Sequence, residues 1–205
     1  MADKYRTVLL FGAPGAGKGT QGKMLDAIPG FYHFSTGEMF RNLDPESELG
    51  MHFLSYSSKG ELVPDEFTVT LWKQTIQEMI ERGKYNPTTD LLVLDGIPRS
   101  VEQTKLMDES LEVLGILFLD ARNRNEMIAR LQGRARKENR PDDAREDVIR
   151  RRLEVYSHDT KPVLSHYPAD LLYTIDAIGT PARVLDRILS VVADIQEQHF
   201  PNALG

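Results

Sequence analysis

The stretch VLLFGAPGAGKGT, residues 8–20, decides how this chain is read. The run from Val8 to Phe11 is continuously apolar, as a strand covered on both faces must be, and it ends abruptly in Gly12, Gly15 and Gly17. Glycines there clear side chains from positions where the backbone has to approach a ligand. A helical pattern begins at Lys18, so unpaired N–H groups and the positive end of a helix dipole face the loop. Such a cradle suits a polyphosphate: amides wrap the anion, Lys18 carries a mobile charge to its outer phosphates, and Thr20 offers a hydroxyl to a cation. Gly12, Gly17 and Lys18 match the spacing Gly-x-x-x-x-Gly-Lys-Ser/Thr, with Gly19 standing where the hydroxyl residue usually follows. The alternative is a bare glycine-rich turn, and a lysine and a threonine in register behind an apolar strand argue against it.

Outward from this loop, short apolar runs alternate with longer amphipathic ones. Strands are expected over residues 7–11, 32–34, 91–94, 116–119 and 171–175, and helices over 18–28, 65–81, 101–114, 123–132, 146–165 and 182–198. Ser100, Asn123 and Thr180 have the chemistry of N-caps, and Pro181 suits a first helical position. This alternation predicts an α/β fold: a five-stranded parallel sheet with helices on both faces. Two segments interrupt it. Residues 36–81 form a long, mostly helical excursion between the second and third strands, and 133–143 form a short, highly polar loop. The chain thus reads as one core domain, 1–205, carrying two inserted flaps at 36–65 and 133–143.

Composition narrows the class. The chain has 205 residues, 40% hydrophobic and 27% charged, enough for one domain with its own core. No apolar run approaches the roughly 20 residues needed to cross a bilayer, and no targeting segment is apparent, so a cytoplasmic protein without a membrane partner is expected. There are no cysteines, hence no disulfide and no thiolate zinc site. The net charge of −6 argues against nucleic acid as a partner. Against that acidic background, Arg130, Arg134, Arg136, Lys137, Arg140, Arg145, Arg150, Arg151 and Arg152 crowd one stretch, which points to an anionic ligand.

A second site feature is LLVLDGIPRS, residues 91–100, which places Asp95 at the end of a buried strand. Ligands of open parallel sheets gather at that edge, where a carboxylate can hold Mg²⁺ through water. Gly96 and Pro98 shape a tight turn, and the Arg99 guanidinium has the fork geometry of a phosphate ligand.

Here a resemblance to a known family becomes close. The loop form Gly-x-Pro-Gly-x-Gly-Lys-Gly-Thr resembles that of nucleoside monophosphate kinases. FSTGEMFR (34–41), GELVPDE (60–66), DGIPRSVEQ (95–103), RLQGR (130–134), RPDD (140–143) and RRRLEVY (150–156) resemble, in order, the motifs of adenylate kinases of the short-lid type. With the loop they cover the chain from about 7 to about 180. The resemblance implies a P-loop NTPase-type fold, a monomer, and reversible transfer of the terminal phosphoryl group of ATP to AMP with Mg²⁺, giving two ADP. It implies that 36–65 binds the monophosphate and that 133–143 is a short lid without zinc.

The resemblance also implies residue roles. Gly15, Ala16, Gly17, Lys18, Gly19 and Thr20 would hold the ATP phosphates, with Thr20 and Asp95 near the metal. Thr36, Arg41, Glu61, Leu62, Val63, Gly96, Ile97, Pro98, Arg99 and Gln103 would form the AMP site, Arg41 and Arg99 on its phosphate and Gln103 on its base edge. Arg130 and Arg134 would lie over ATP, the backbone of Gly179 against its adenine, and Arg140 at the transferring group. Lys18, Arg99, Arg134, Arg140 and Arg152 would be the catalytic cations.

Departures from the family pattern are few. Glu38 replaces the commoner Asp, and Ile97 the commoner Phe. The spacing from Arg140 to the Arg-Leu-x-x-Tyr pattern is one residue long, so alignment from Leu153 and Tyr156 picks Arg152 as the last phosphate arginine, whereas alignment from Arg140 picks Arg151. One residue is about 100° of helix, so the two cannot face a site equally; Arg152 is the one taken here. Phosphoryl transfer needs alignment and charge stabilisation rather than a nucleophile. Asp142 and Asp143 are accordingly read as orienting arginines, and the five histidines show no metal-ligand spacing. A UMP/CMP kinase of the same family and a catalytically silent nucleotide-binding protein remain the alternatives. Thr36, Ser100 and Gln103 favour AMP over the pyrimidine acceptors.

Overall fold

A computed structural model describes residues 4–121, 123–138 and 145–202. Among them, strands β1 (Tyr5–Phe11), β2 (Phe31–Ser35), β3 (Leu91–Asp95), β4 (Leu111–Asp120) and β5 (Leu172–Asp176) form one sheet. All its pairings are parallel and its order is β2-β3-β1-β4-β5. Helices α1 (Lys18–Asp26), α2 (Thr36–Arg41), α3 (Glu48–Ser57), α4 (Asp65–Glu81), α5 (Val101–Met107), α6 (Arg124–Glu138), α7 (Glu146–Val155) and α8 (Pro181–His199) complete the fold. The expected α/β class and five-stranded parallel sheet are present. No helix among the described residues is long and apolar enough to cross a membrane.

The period of two along the strands sorts the core into layers. Leu9 and Phe11 of β1, with Leu92 and Leu94 of β3, pack under Trp72 and Ile76 of α4 and Met107 of α5. Val8, Leu10, Leu91 and Val93 point the other way, against Leu25 of α1 and Val184, Ile188 and Val192 of α8. A third cluster joins Met127, Ile128 and Leu131 of α6 to Ile149 and Leu153 of α7. Both faces of the central strands are buried, which is why they read as unbroken apolar runs.

Three boundaries differ from the sequence expectation. The helix expected over 101–114 stops at Met107, because Leu111 to Val113 pair with Tyr5 to Thr7 and extend β4 backwards. The register then slips by one residue, Val8 lying opposite Gly115, so Leu114 is an extra residue that blurs the alternation. The helix expected over 146–165 ends at Val155 and passes through a π-helical turn, Tyr156–Thr160, into a 3₁₀ turn, Lys161–His166. Pro162 lies in that last turn and cannot donate to an α-helical ladder. Conversely, residues 133–138, expected as loop, continue α6. Arg, Ala, Lys and Glu favour helix, and Gly133 alone opposes it by about 1 kcal/mol. Residues 139–144 of the polar segment lie outside the described residues.

Gly22 inside α1 looks costly until its neighbour is seen. A Cβ there would lie 2.2 Å from Nε2 of His33, whose ring from β2 is almost wholly buried against the helix. The helix sits this close to the sheet only because that side chain is missing. Gly22→Ala is therefore expected to destabilise the fold by about 1–2 kcal/mol through overpacking. In a His33→Ala background the same change is expected to stabilise by about 0.5–1 kcal/mol, the ordinary helix preference of alanine. Denaturant midpoints of the four chains check the reversal of sign.

Candidate functional site

Strands β1, β2 and β3 end side by side: Leu10 is in register with Asp95, and so is Ser35. The loop after β1, the start of α2 and the turn after β3 therefore share one sheet edge. They line a single cleft that also takes in Gly60 to Val63, Arg134 of α6 and Arg152 of α7. Among the described residues this lining carries the cations Lys18, Lys23, Arg41, Arg99, Arg134 and Arg152 against the carboxylates Glu38, Glu61 and Asp95. In a chain of net charge −6, the cleft is locally positive.

The glycine loop is held open by its surroundings. Gly15 has φ +87°, and a Cβ there would meet the Met127 carbonyl oxygen of α6 at 2.8 Å, so the loop packs on that helix through bare backbone. Gly17, also left-handed, precedes α1, whose first N–H groups face the cleft with no side-chain cap. Nζ of Lys18 donates to the carbonyl oxygens of Gly12 at 2.7 Å and Ala13 at 3.4 Å. Burial pushes the ammonium down to about 8; Asp95 opposes that shift, while Arg99, Arg134 and Arg152 add to it. Burial would raise the Asp95 carboxyl, but the His33 ring, Lys18 and Arg99 outweigh it and hold the group below its usual range. His33 Nε2 lies 3.8 Å from Asp95 Oδ2, longer than a normal hydrogen bond.

The turn after β3 is built around one carbonyl. Gly96 O accepts from Thr36 Oγ1 at 2.8 Å and from Arg99 Nε at 2.8 Å, which ties α2 to the turn and aims the guanidinium. Gly96 has φ +86°, and a Cβ there would stand 2.6 Å from the Thr36 hydroxyl. Gln103 is 2% exposed, lines the cleft, and accepts from the Arg99 N–H at 2.7 Å. Arg41, at the end of α2, folds back so that its guanidinium covers Gly37. Phe40 and Phe53 stack in parallel, centroids 4.8 Å apart, as an aromatic wall of the same cleft.

The expected residues do not all converge. Gly15, Gly17, Lys18, Gly19, Thr20, Thr36, Arg41, Glu61, Leu62, Val63, Asp95, Gly96, Pro98, Arg99, Gln103, Arg134 and Arg152 line the cleft. Ala16 and Ile97 are buried beneath it, 3% and 2% exposed, and support the loop and the turn from below. Arg130, on α6, and Gly179, between β5 and α8, lie outside the lining. Arg140, Asp142 and Asp143 fall outside the described residues. Arg152 faces the cleft, whereas Arg151 lies 3.6 Å from Glu154 on the exposed side of α7.

Other residues of the site had no motif to announce them. Lys23 and Glu38 form a 2.6 Å ion pair at the rim. Burial would raise Glu38, but Lys23 overcomes this and lowers it. His33 is likewise unmarked, although a glycine inside α1 is a legible sign that something packs closely there. The Phe40–Phe53 wall depends on how α2 and α3 fold together.

Oxygen donors suited to a hard cation are present at Thr20 and Asp95, one on the loop and one ionised at the strand end. Among the described residues no group of three or more His, Cys, Asp or Glu gathers into a cage. That sparse donor set fits Mg²⁺, which keeps waters and substrate phosphates as ligands.

Comparison with known proteins agrees with this geometry. Residues 10–171 match the family model described as adenylate kinase. An adenylate kinase of Kocuria rhizophila is 37% identical over 193 residues, covering 90% of this chain and 97% of its own. One from Mycolicibacterium vanbaalenii is 39% identical over 191 residues, covering 90% and 98%. One from Flavobacterium johnsoniae is 33% identical over 195 residues, covering 92% and 98%. The cradle for a polyphosphate, the arginine-lined cleft and this similarity along nearly the whole chain have one reading: the chain belongs to the adenylate kinase family, and it is a nucleoside monophosphate kinase.

Proposed function

We propose that this chain moves the terminal phosphoryl group of ATP onto AMP, reversibly, giving two ADP, with Mg²⁺ accompanying ATP. The observation that carries the reading is the continuity of one cleft from the glycine loop to Gln103, with Lys18, Arg134, Arg152, Arg99 and Arg41 along it. A protein that only held one nucleotide would not require cations at both ends of the cleft.

In this reading the amides of residues 15–20 and Lys18 hold the phosphates of ATP, and Arg130 and Gly179 meet its base. Arg41 and Arg99 hold the phosphate of AMP. Its base lies among Thr36, Gln103 and the backbone of Glu61, Leu62 and Val63. Thr20 and Asp95 would hold Mg²⁺, which when bound would screen charge on the ATP phosphates. The acceptor oxygen and the γ-phosphorus are brought into line, so alignment lowers much of the barrier. Arg134, Arg140 and Arg152 stabilise the charge spread over the transferring group. Segment 36–65 and lid 133–143 close over the nucleotides and keep water from the γ-phosphate.

The direct test is ADP formation from ATP with AMP, UMP or CMP as acceptor, with and without Mg²⁺. AMP is expected to be used in strong preference and only with the metal; equal use of UMP or CMP would overturn the acceptor reading. Arg152→Ala is expected to lower kcat by about 100-fold or more. Arg151→Ala, facing solvent, is expected to stay within about twofold. Comparable losses in both would show that the helix face has been misread.

Lys18 gives a pH signature. Burial holds the Lys18 ammonium at about 8, and bound phosphates raise that value by adding negative charge. ATP affinity is thus expected to fall as pH rises above 8, by up to about tenfold per unit, with uptake of a proton on binding. Calorimetry at pH 8.5 in buffers of different ionisation enthalpy checks this. The proton uptake is expected to vanish in Lys18→Met.

A further inference from the structure

Gln103 is tethered at both ends of its side-chain amide. Its Oε1 accepts from the Arg99 backbone N–H at 2.7 Å, and its Nε2 donates to Asp65 Oδ1 at 2.8 Å. The chemistry of the partners fixes which end is which. A backbone N–H can only donate, so the atom facing it is the oxygen; a carboxylate only accepts, so the atom facing it is the nitrogen. The residue's backbone is held as well, since its N–H donates to the Ser100 cap of α5 at 3.0 Å.

Asp65 lies on the far side of this arrangement. It is the first residue of the 17-residue helix α4, where the dipole favours a negative charge. It is absent from the lining of the nucleotide cleft and borders a separate shallow groove with Ser100, Val101 and Pro162. Its carboxylate is joined to the cleft lining through Gln103.

We infer that Asp65 is a positioning residue that fixes acceptor specificity by locking the orientation of the Gln103 amide. The inference rests on the acceptor reading above, in which Gln103 meets the base. With one position at each end of the amide occupied by protein, the oxygen keeps one free lone pair and the nitrogen one free N–H. That pair complements a 6-aminopurine, which offers an amino donor beside a ring-nitrogen acceptor. A 6-oxopurine presents the reverse pattern, a carbonyl acceptor beside a ring N–H. To read it, the amide would have to turn over. Its NH₂ would then face the Arg99 N–H, and its oxygen would face the Asp65 carboxylate, two like-with-like contacts in a buried place. Discrimination thus comes from a penalty against the wrong base as well as attraction to the right one.

The test compares kcat/KM for AMP and IMP, with saturating MgATP, in the wild type, Asp65→Ala and Asp65→Asn, each checked by thermal melting. In Asp65→Ala the AMP:IMP ratio is expected to fall by about tenfold, through a higher KM for AMP and a lower one for IMP, while KM for ATP stays within about twofold. In Asp65→Asn the new amide can accept or donate, and the ratio is expected to fall by about threefold. A general structural role would not lower KM for IMP. A wild-type ratio in either folded variant overturns the inference, and should Asp65→Ala fail to fold, Asp65→Asn decides. A wild type that does not prefer AMP to IMP removes the acceptor reading itself and this inference with it. A wild type that does prefer AMP, with variants that keep the ratio, removes only the role of Asp65.

Discussion

Like charge crowded around Lys18 is the constraint to which the rest of the structure answers. The ammonium is drawn out of water onto two carbonyl oxygens of its own loop, with Arg99, Arg134 and Arg152 near enough to lower its pKa further. Asp95, ionised at the end of β3, opposes that shift. An ammonium held out of water in this way is stabilised by an anion with many oxygens. The sheet makes the assembly possible. Parallel strands deliver the loop, the start of α2 and the 95–99 turn to one edge, where backbone N–H groups can add donors without adding net charge.

The elements outside the sheet that carry arginines to the cleft follow from the same constraint. Arginines cannot all come from one strand edge, so Arg41 arrives on the insertion, Arg134 on α6 and Arg152 on α7. Gly60 shows how closely the insertion and α7 are matched: a Cβ there would meet the Val148 carbonyl at 2.9 Å and the Arg152 stem at 3.1 Å. Bare backbone there lets the Gly60 to Val63 part of the cleft lining lie directly against the helix that presents Arg152.

Much of this was legible in the sequence where the physics is local. Glycines, a lysine and a helix start within 13 residues specify a phosphate cradle almost by themselves. Asp95, Gly96, Pro98 and Arg99 are equally compact. Both-face burial made β1 and β3 plain, and α4 was read to its ends. The start of β4 was not legible, because a bulge at Leu114 broke the alternation and the residues before it suited a helix as well as a strand. The facing of Arg152 could be posed from sequence spacing only as a choice between two neighbours. The Asp65–Gln103 bond joins residues 38 positions apart, and the Lys23–Glu38 pair joins two helices. No local pattern encodes either, since each depends on how separate elements dock.

The central claim is that one continuous cleft seats two nucleotides end to end. Its most direct test is calorimetric titration of the protein with a compound joining two adenosines through a polyphosphate. One molecule is expected to bind per chain, competed by ATP and by AMP alike. Absence of binding, saturation at two molecules per chain, or competition by only one of the nucleotides would contradict it.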